Sequence, residues 1–191
     1  MYKRQLRARP FAGDADLGRR FCALIEPLRY PADGLSPEAV LEIRRLKARI
    51  DSERLPRGAD PATHTKLGRG GLGDVEWTAQ LLQLRHAGRV EALRTTGTVG
   101  ALRAASAAGL LGEADARALI RSWRMATRTR NAIRLVGGKA DDQLPAPGPA
   151  LVAVGRALGY AADFEPGQLD NDYRRTARRA RAVVERVFYA D

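Results

Sequence analysis

Residues 66–88 read KLGRGGLGDVEWTAQLLQLRHAG, and the way this stretch is read decides the fold. Four glycines fall within residues 68–73, with Lys66 and Arg69 beside them and Asp74, Glu76 and Trp77 after them. From Leu72 onward, Leu72, Val75, Ala79 and Leu82 recur at helical spacing, and Trp77, Leu81 and Leu84 widen the apolar face. The spacing predicts a helix that begins near Gly71–Asp74 and runs to His86, with Gly88 just past its end. A glycine-rich turn before a helix N-terminus can bind anions, because free N–H groups and the helix dipole converge there. It can equally be a loop that leads into a helix.

Helical periodicity continues on both sides. Toward the N-terminus, Asp14 caps a helix that reaches Glu26 and stops near Pro27. Ser36 then caps a second helix with Pro37 at its first position and Val40, Ile43, Leu46, Lys47 and Ile50 on one side, until LPRG ends it. Residues 58–73 are irregular, with THTKL (63–67, Thr63 to Leu67) as an extended portion. Beyond the central helix come helices over Thr98–Ala108, closed by Gly109, and Glu113–Val136, closed by Gly137 and Gly138. Pro145, Pro147 and Pro149 break the following loop. PALVAVGRAL ends at Gly159, and a last helix over Gln168–Tyr189 carries Leu169, Tyr173, Ala177, Ala180, Val184 and Val187 on one stripe. No period-2 run and no fixed-period repeat is present. The predicted fold is all-α: a two-helix arm over residues 1–57, then a bundle of about five helices over residues 58–191.

Composition narrows the function. The 191 residues include 33 Lys plus Arg against 22 Asp plus Glu, a formal net charge of +11. That balance fits a module binding an acidic protein surface or nucleic acid, but Arg outnumbers Lys and Ala and Gly abound, so a GC-rich coding bias accounts for it as well. One cysteine and two histidines cannot build a disulfide framework or a Cys/His metal set. Cys22, inside FCALIEPL, reads as a small buried hydrophobe. No apolar run is long enough to span a membrane and MYKRQLRARPFAGD lacks a signal-peptide core, so a cytoplasmic setting is expected.

The candidate chemistry is sparse. In a P-loop the lysine follows the glycines to reach the phosphates, whereas Lys66 precedes Gly68, Gly70 and Gly71. No strand, glycine turn and helix unit supports a dinucleotide fold either. Asp74 and Glu76 sit where carboxylates offset a helix dipole, and two residues apart they point about 200° apart, so they cannot form an acid–base pair on one face. Asp141 and Asp142 read as a solvated turn. His64 and His86 have no adjacent nucleophile with an orienting group. Trp77 and Trp123 read as core or interface anchors, and the arginines at 174, 175, 178, 179 and 181 as a solvated basic face.

Four segments nevertheless form a recognisable set: residues 66–88, LRTTGTVGALRAASAAGLL (93–111), WRMATRTRNAIRLVGGKADDQLP (123–145), and LGY (158–160) with LDNDYRRTARRARAVVERVFY (169–189). Together they resemble the C-terminal helical region of bacterial glutamine-synthetase adenylyltransferase, in its actinobacterial form, with LRARPFAGDADLGRRF and residues 36–60 resembling the linker after its second catalytic head. The resemblance covers residues 6–191. It implies a fragment of an enzyme that moves AMP from ATP to a tyrosine of glutamine synthetase and removes it by phosphorolysis through its other half. The implied cofactors are ATP and Mg²⁺, and the implied partners are glutamine synthetase, a PII-type nitrogen regulatory protein and the enzyme's own catalytic head. Family heads carry a Gly-Ser or Gly-Gly turn, an Asp-x-Asp pair and a third acidic residue that hold two Mg²⁺ ions for attack on the ATP α-phosphate. None of these motifs occurs here, so the resemblance implies no catalytic residue and no metal ligand in this chain, which alone is expected to be inactive. It places Lys66, Gly68, Arg69, Gly70, Gly71, Asp74 and Glu76 on the cleft between head and bundle, facing nucleotide or target. MYKRQ departs from the family, and a truncated or artificial start is expected there.

Overall fold

The computed structural model describes residues 5–190, so most of the expected foreign start, Met1–Arg4, lies outside the described residues. The described residues form seven α-helices and no strand: α1 (Ala15–Arg29), α2 (Pro37–Arg54), α3 (Leu72–His86), α4 (Thr98–Ala107), α5 (Glu113–Gly137), α6 (Pro149–Leu158) and α7 (Pro166–Val184). The all-α expectation is borne out, and none of these helices is long and apolar enough to cross a membrane.

Caps explain most boundaries. Asp14 accepts from the N–H groups of Asp16 and Leu17 at the start of α1, and Ser36 accepts from Ala39 N at the start of α2. Gly138 and Gly159 end α5 and α6 in the left-handed region, at φ 65° and 91°.

Two ends differ from expectation. The first helix runs past Pro27 to Arg29, because a proline in the last turn removes a single ladder bond and Tyr30 N–H still closes on Glu26 O at 2.9 Å. The last helix stops at Val184 and widens into a π turn, Glu185–Tyr189, closed by Ala190 N–H on Glu185 O. That turn brings the buried Phe188 ring edge-on to Trp77, with centroids 6.4 Å apart.

The central helix is α3. A one-sided apolar stripe was expected, yet residues from Leu72 to Leu84 are buried almost all the way round. Val75, Trp77, Ala79, Leu81, Leu82 and Leu84 share one apolar cluster with Tyr30, with Val40 and Ile43 of α2, and with parts of α4, α5 and the C-terminal turn. Leu72 belongs to a second cluster built from α5, α6 and α7. Of the buried polar residues on α3, Gln83 finds partners in neighbouring backbone: its Nε2 donates to Leu93 O at 2.8 Å and Thr95 O at 2.6 Å.

The opposite case is α1, which has no buried residue. Leu17, Phe21, Leu24 and Leu28 lie on one helical stripe and are all more than half exposed. Cys22 is therefore only half-buried, not the core hydrophobe its apolar neighbours implied.

Candidate functional site

The glycine turn is locked from within. Seven consecutive N–H groups are engaged: Leu67 on His64 Nδ1 (3.0 Å), Gly68 on His64 O (2.8 Å), Arg69 on Pro61 O (2.8 Å), Gly70 on Asp74 Oδ2 (2.7 Å), Gly71 on Gly68 O (3.0 Å), Leu72 on Thr65 O (2.9 Å) and Gly73 on Lys66 O (2.9 Å). No N–H of this run remains for a phosphate, so of the two readings open from sequence the anion cradle loses its donors.

The glycines serve close approach. Gly70 has φ +71°, and a Cβ there would stand 2.0 Å from Ala177 O of α7. At Gly68 a Cβ would meet His64 O at 2.3 Å and Pro61 O at 2.6 Å. Gly71 is the backbone cap of α3, and Ser122 Oγ of α5 donates to Gly70 O at 2.7 Å. The turn is thus a wedge fitted between α3, α5 and α7.

Asp74, in the first turn of α3, fastens the wedge. Its side chain is 3% exposed and takes three donors: Gly70 N, Lys47 Nζ of α2 at 2.6 Å, and Arg181 NH1 of α7 at 3.0 Å. Burial opposes ionisation of Asp74, but the Lys47 ammonium first, then the Gly70 N–H and the Arg181 guanidinium, outweigh it and hold the carboxyl below its ordinary range. Lys47 also donates to Asp51 at 2.5 Å; burial disfavours its charge, and the two carboxylates overcome that and push its pKa up. Asp51 has fewer donors and faces the Asp74 charge, so burial prevails and raises its carboxyl. Arg181 continues the network to Glu185 and lies 5.2 Å from the centroid of the Tyr189 ring.

The remaining sequence-selected residues lie around this core. Glu76 is half-buried and paired with Arg7 at 3.2 Å. Lys66 and Arg69 are exposed and face two cavities that meet at Asp51 and Leu67. Arg69 borders one of about 470 Å³ with Arg181 and Tyr189, and Lys66 borders one of about 400 Å³ with Arg54, Glu76 and Arg130. Among the described residues no group of three or more His, Cys, Asp or Glu side chains is placed to hold a metal ion.

Sequence reasoning missed Lys47 and Arg181. A lysine on the apolar side of α2, between Ile43 and Ile50, was the available signal for the first. Nothing local marked Arg181 among its basic neighbours. The expected solvated face of α7 is corrected in part: Arg174 bridges Asp60 and Asp170, each at 2.7 Å, and Arg181 turns inward to Asp74.

Asp142 is likewise no solvated turn. Its carboxylate accepts from Arg130 Nε at 2.5 Å and Arg134 NH2 at 3.1 Å of α5, and its carbonyl accepts from Thr65 N at 2.7 Å. Burial works against its ionisation, and the two guanidiniums reverse that and lower its pKa. The expected extended portion, THTKL, is instead a run of turns in which His64 alone forms an isolated bridge, to Gln143.

Comparison with known proteins places these features in context. Residues 44–188 match the family model described as GlnD PII-uridylyltransferase. The chain is 58% identical over 183 residues to the bifunctional glutamine synthetase adenylyltransferase/adenylyl-removing enzyme of Mycobacterium avium, and 60% identical over 185 residues to that of Streptomyces coelicolor. The Nocardia farcinica enzyme of the same name is 57% identical over 183 residues. These alignments cover 96–97% of this chain but only 18% of each relative, so the chain spans less than a fifth of the length of the curated relatives it matches. The chain therefore belongs to the GlnD PII-uridylyltransferase family and corresponds to one segment of the bifunctional glutamine synthetase adenylyltransferase/adenylyl-removing enzymes.

Proposed function

We propose that the chain is the helical segment that follows a nucleotidyltransferase head in a glutamine synthetase adenylyltransferase, with residues 1–57 as the arm and 58–191 as the bundle. The observation that carries this reading is the likeness along 96% of the chain to enzymes of that name. In the whole enzyme, AMP passes from ATP to glutamine synthetase, with Mg²⁺ and ATP held by the head and a PII-type protein as regulator, in the cytoplasm. The bundle contributes a rigid wall to the cleft. Because every N–H of the glycine turn is engaged internally, what the turn offers outward is charge: Lys66 and Arg69, carried three residues apart on a backbone that Gly68, Gly70 and Asp74 hold fixed. Cations on a preorganised turn meet nucleotide phosphates or a target's carboxylates at little entropic cost. Asp74 and Glu76 act through the turn, as positioning residues.

The test uses the full-length enzyme. Lys66→Ala and Arg69→Ala are expected to lower kcat/KM for adenylylation about tenfold each, the loss of roughly 1.4 kcal/mol of charge stabilisation, with the melting temperature unchanged. Unchanged adenylylation rate and ATP affinity in both variants would refute the cleft-facing role.

A further inference from the structure

A second basic feature lies away from the glycine turn. An open groove of about 1020 Å³ runs between α4 and α5, bordered by Arg103, Arg117, Arg121, Arg124 and Arg128 and, among the described residues, by a single carboxylate, Glu113. Its floor is apolar: Leu111 and Ala116 are buried, and Ile120 and Met125 are half-buried. Four of the arginines follow one another on α5 at steps of four, three and four residues, so they form a line about 16 Å long on one helix face. Arg117 pairs with Glu113, and Arg128 donates to Leu158 O. Arg103, Arg121 and Arg124 are exposed, and among the described residues none of them has an ion-pair or hydrogen-bond partner.

We propose that this groove docks an acidic amphipathic helix of a protein partner, its apolar residues on Leu111, Ile120 and Met125 and its carboxylates on the arginine line. Charge complementarity selects carboxylates or phosphates, and the guanidinium fork suits both. The floor separates the two. A nucleic acid tracks a basic groove through its phosphates and stacks its bases on aromatic rings, and among the described residues no aromatic side chain borders this groove. An apolar trough with cations along one rim instead matches a helix whose leucines recur every three or four residues with glutamates flanking them. The volume is at the upper end for small-molecule sites and the groove is open along its length, which fits a segment of chain better than a metabolite. This inference rests on the groove alone and stands whether or not Lys66 and Arg69 face a nucleotide.

The experiment measures fluorescence polarisation of a labelled 15-residue peptide with leucines at helical spacing and glutamates between them, titrated with the 191-residue chain. The comparison probes are the same peptide with every Glu→Gln, the same peptide with every Leu→Ser, and a 15-nucleotide single strand of DNA. The parent peptide is expected to bind at least tenfold tighter than any comparison probe. Arg121→Glu with Arg124→Glu is expected to weaken it at least tenfold, while Arg45→Glu with Arg49→Glu, an equal charge change on exposed residues of α2, changes it less than twofold. Circular dichroism of each variant checks that the helices persist, and Ile120→Ser, at a half-buried floor position, gives a second reading that leaves the charge intact. The proposal is overturned if the DNA binds as tightly as the peptide, if the Leu→Ser peptide binds as well as its parent, or if the two charge-reversal pairs weaken binding equally.

Discussion

Asp74 anchors three chain segments through one carboxylate, and its replacement removes the one charge that joins two facing cations, leaving Lys47 only Asp51 and Arg181 only the more exposed Glu185. Asp74→Ala is expected to destabilise the fold by about 3–5 kcal/mol, the cost of breaking a buried pair from one side, in urea unfolding. Glu113→Ala, which removes an exposed partner of Arg117, should cost less than about 0.5 kcal/mol. The contrast follows from solvent: water replaces a lost carboxylate at Glu113 and cannot at Asp74. Gly70 is constrained as tightly by geometry. Gly70→Ala adds left-handed strain of roughly 1–3 kcal/mol to a Cβ driven into Ala177 O, so this change is expected to cost at least as much as loss of Asp74.

At the scale of elements, helices announced by capping residues were legible in sequence, because a cap is a local interaction: Asp14, Ser36, Gly109 and Gly138 each act within a few residues of the end they mark. The ties between elements were not. Lys47 and Arg181 reach Asp74 from 27 and 107 residues away, so no short window of sequence contains those pairs; Asp142 lies only 12 and 8 residues from Arg130 and Arg134, but past the end of α5, where helical spacing does not pair them. The candidate site was legible as a glycine turn beside carboxylates, while its locked N–H groups depend on Pro61, His64 and Thr65 folding back over it. Amphipathicity misleads in the same way on α1, whose stripe is correct in period and covers nothing. Leu24→Lys, at a position 77% exposed, should therefore change unfolding free energy by less than about 0.5 kcal/mol, whereas Ile43→Ala, 4% exposed in the apolar cluster, should cost about 2–5 kcal/mol.

At the scale of the whole molecule, acid sensitivity begins near neutrality. Burial keeps the pKa of His64 below its ordinary 6.5 despite Asp142 and Asp141 nearby, with Lys66 acting in the same direction as burial, and Nδ1 accepts the Leu67 N–H only in the neutral ring. Burial lowers His86 too, helped by Arg85 and Arg89. As pH falls below about 6.5 the unfolded chain takes up protons that the folded chain resists, so stability is full above that pH and declines below it. The decline is at most about 1.4 kcal/mol per pH unit for the buried His64, smaller for the more exposed His86, where solvent screens the shift, and it levels off once the folded form also protonates. Urea unfolding between pH 7.5 and 5 should show this slope, and His64→Gln should flatten it.

The Lys47–Asp74–Arg181 arrangement also constrains how sequences of this family can diverge. A change at any one of the three positions is harmful while the other two remain, so drift must pass through joint replacement. Relatives that lack the carboxylate at the Asp74 position are expected to have exchanged both cations for neutral side chains, and an alignment holding many members with one or two of the three would contradict that coupling.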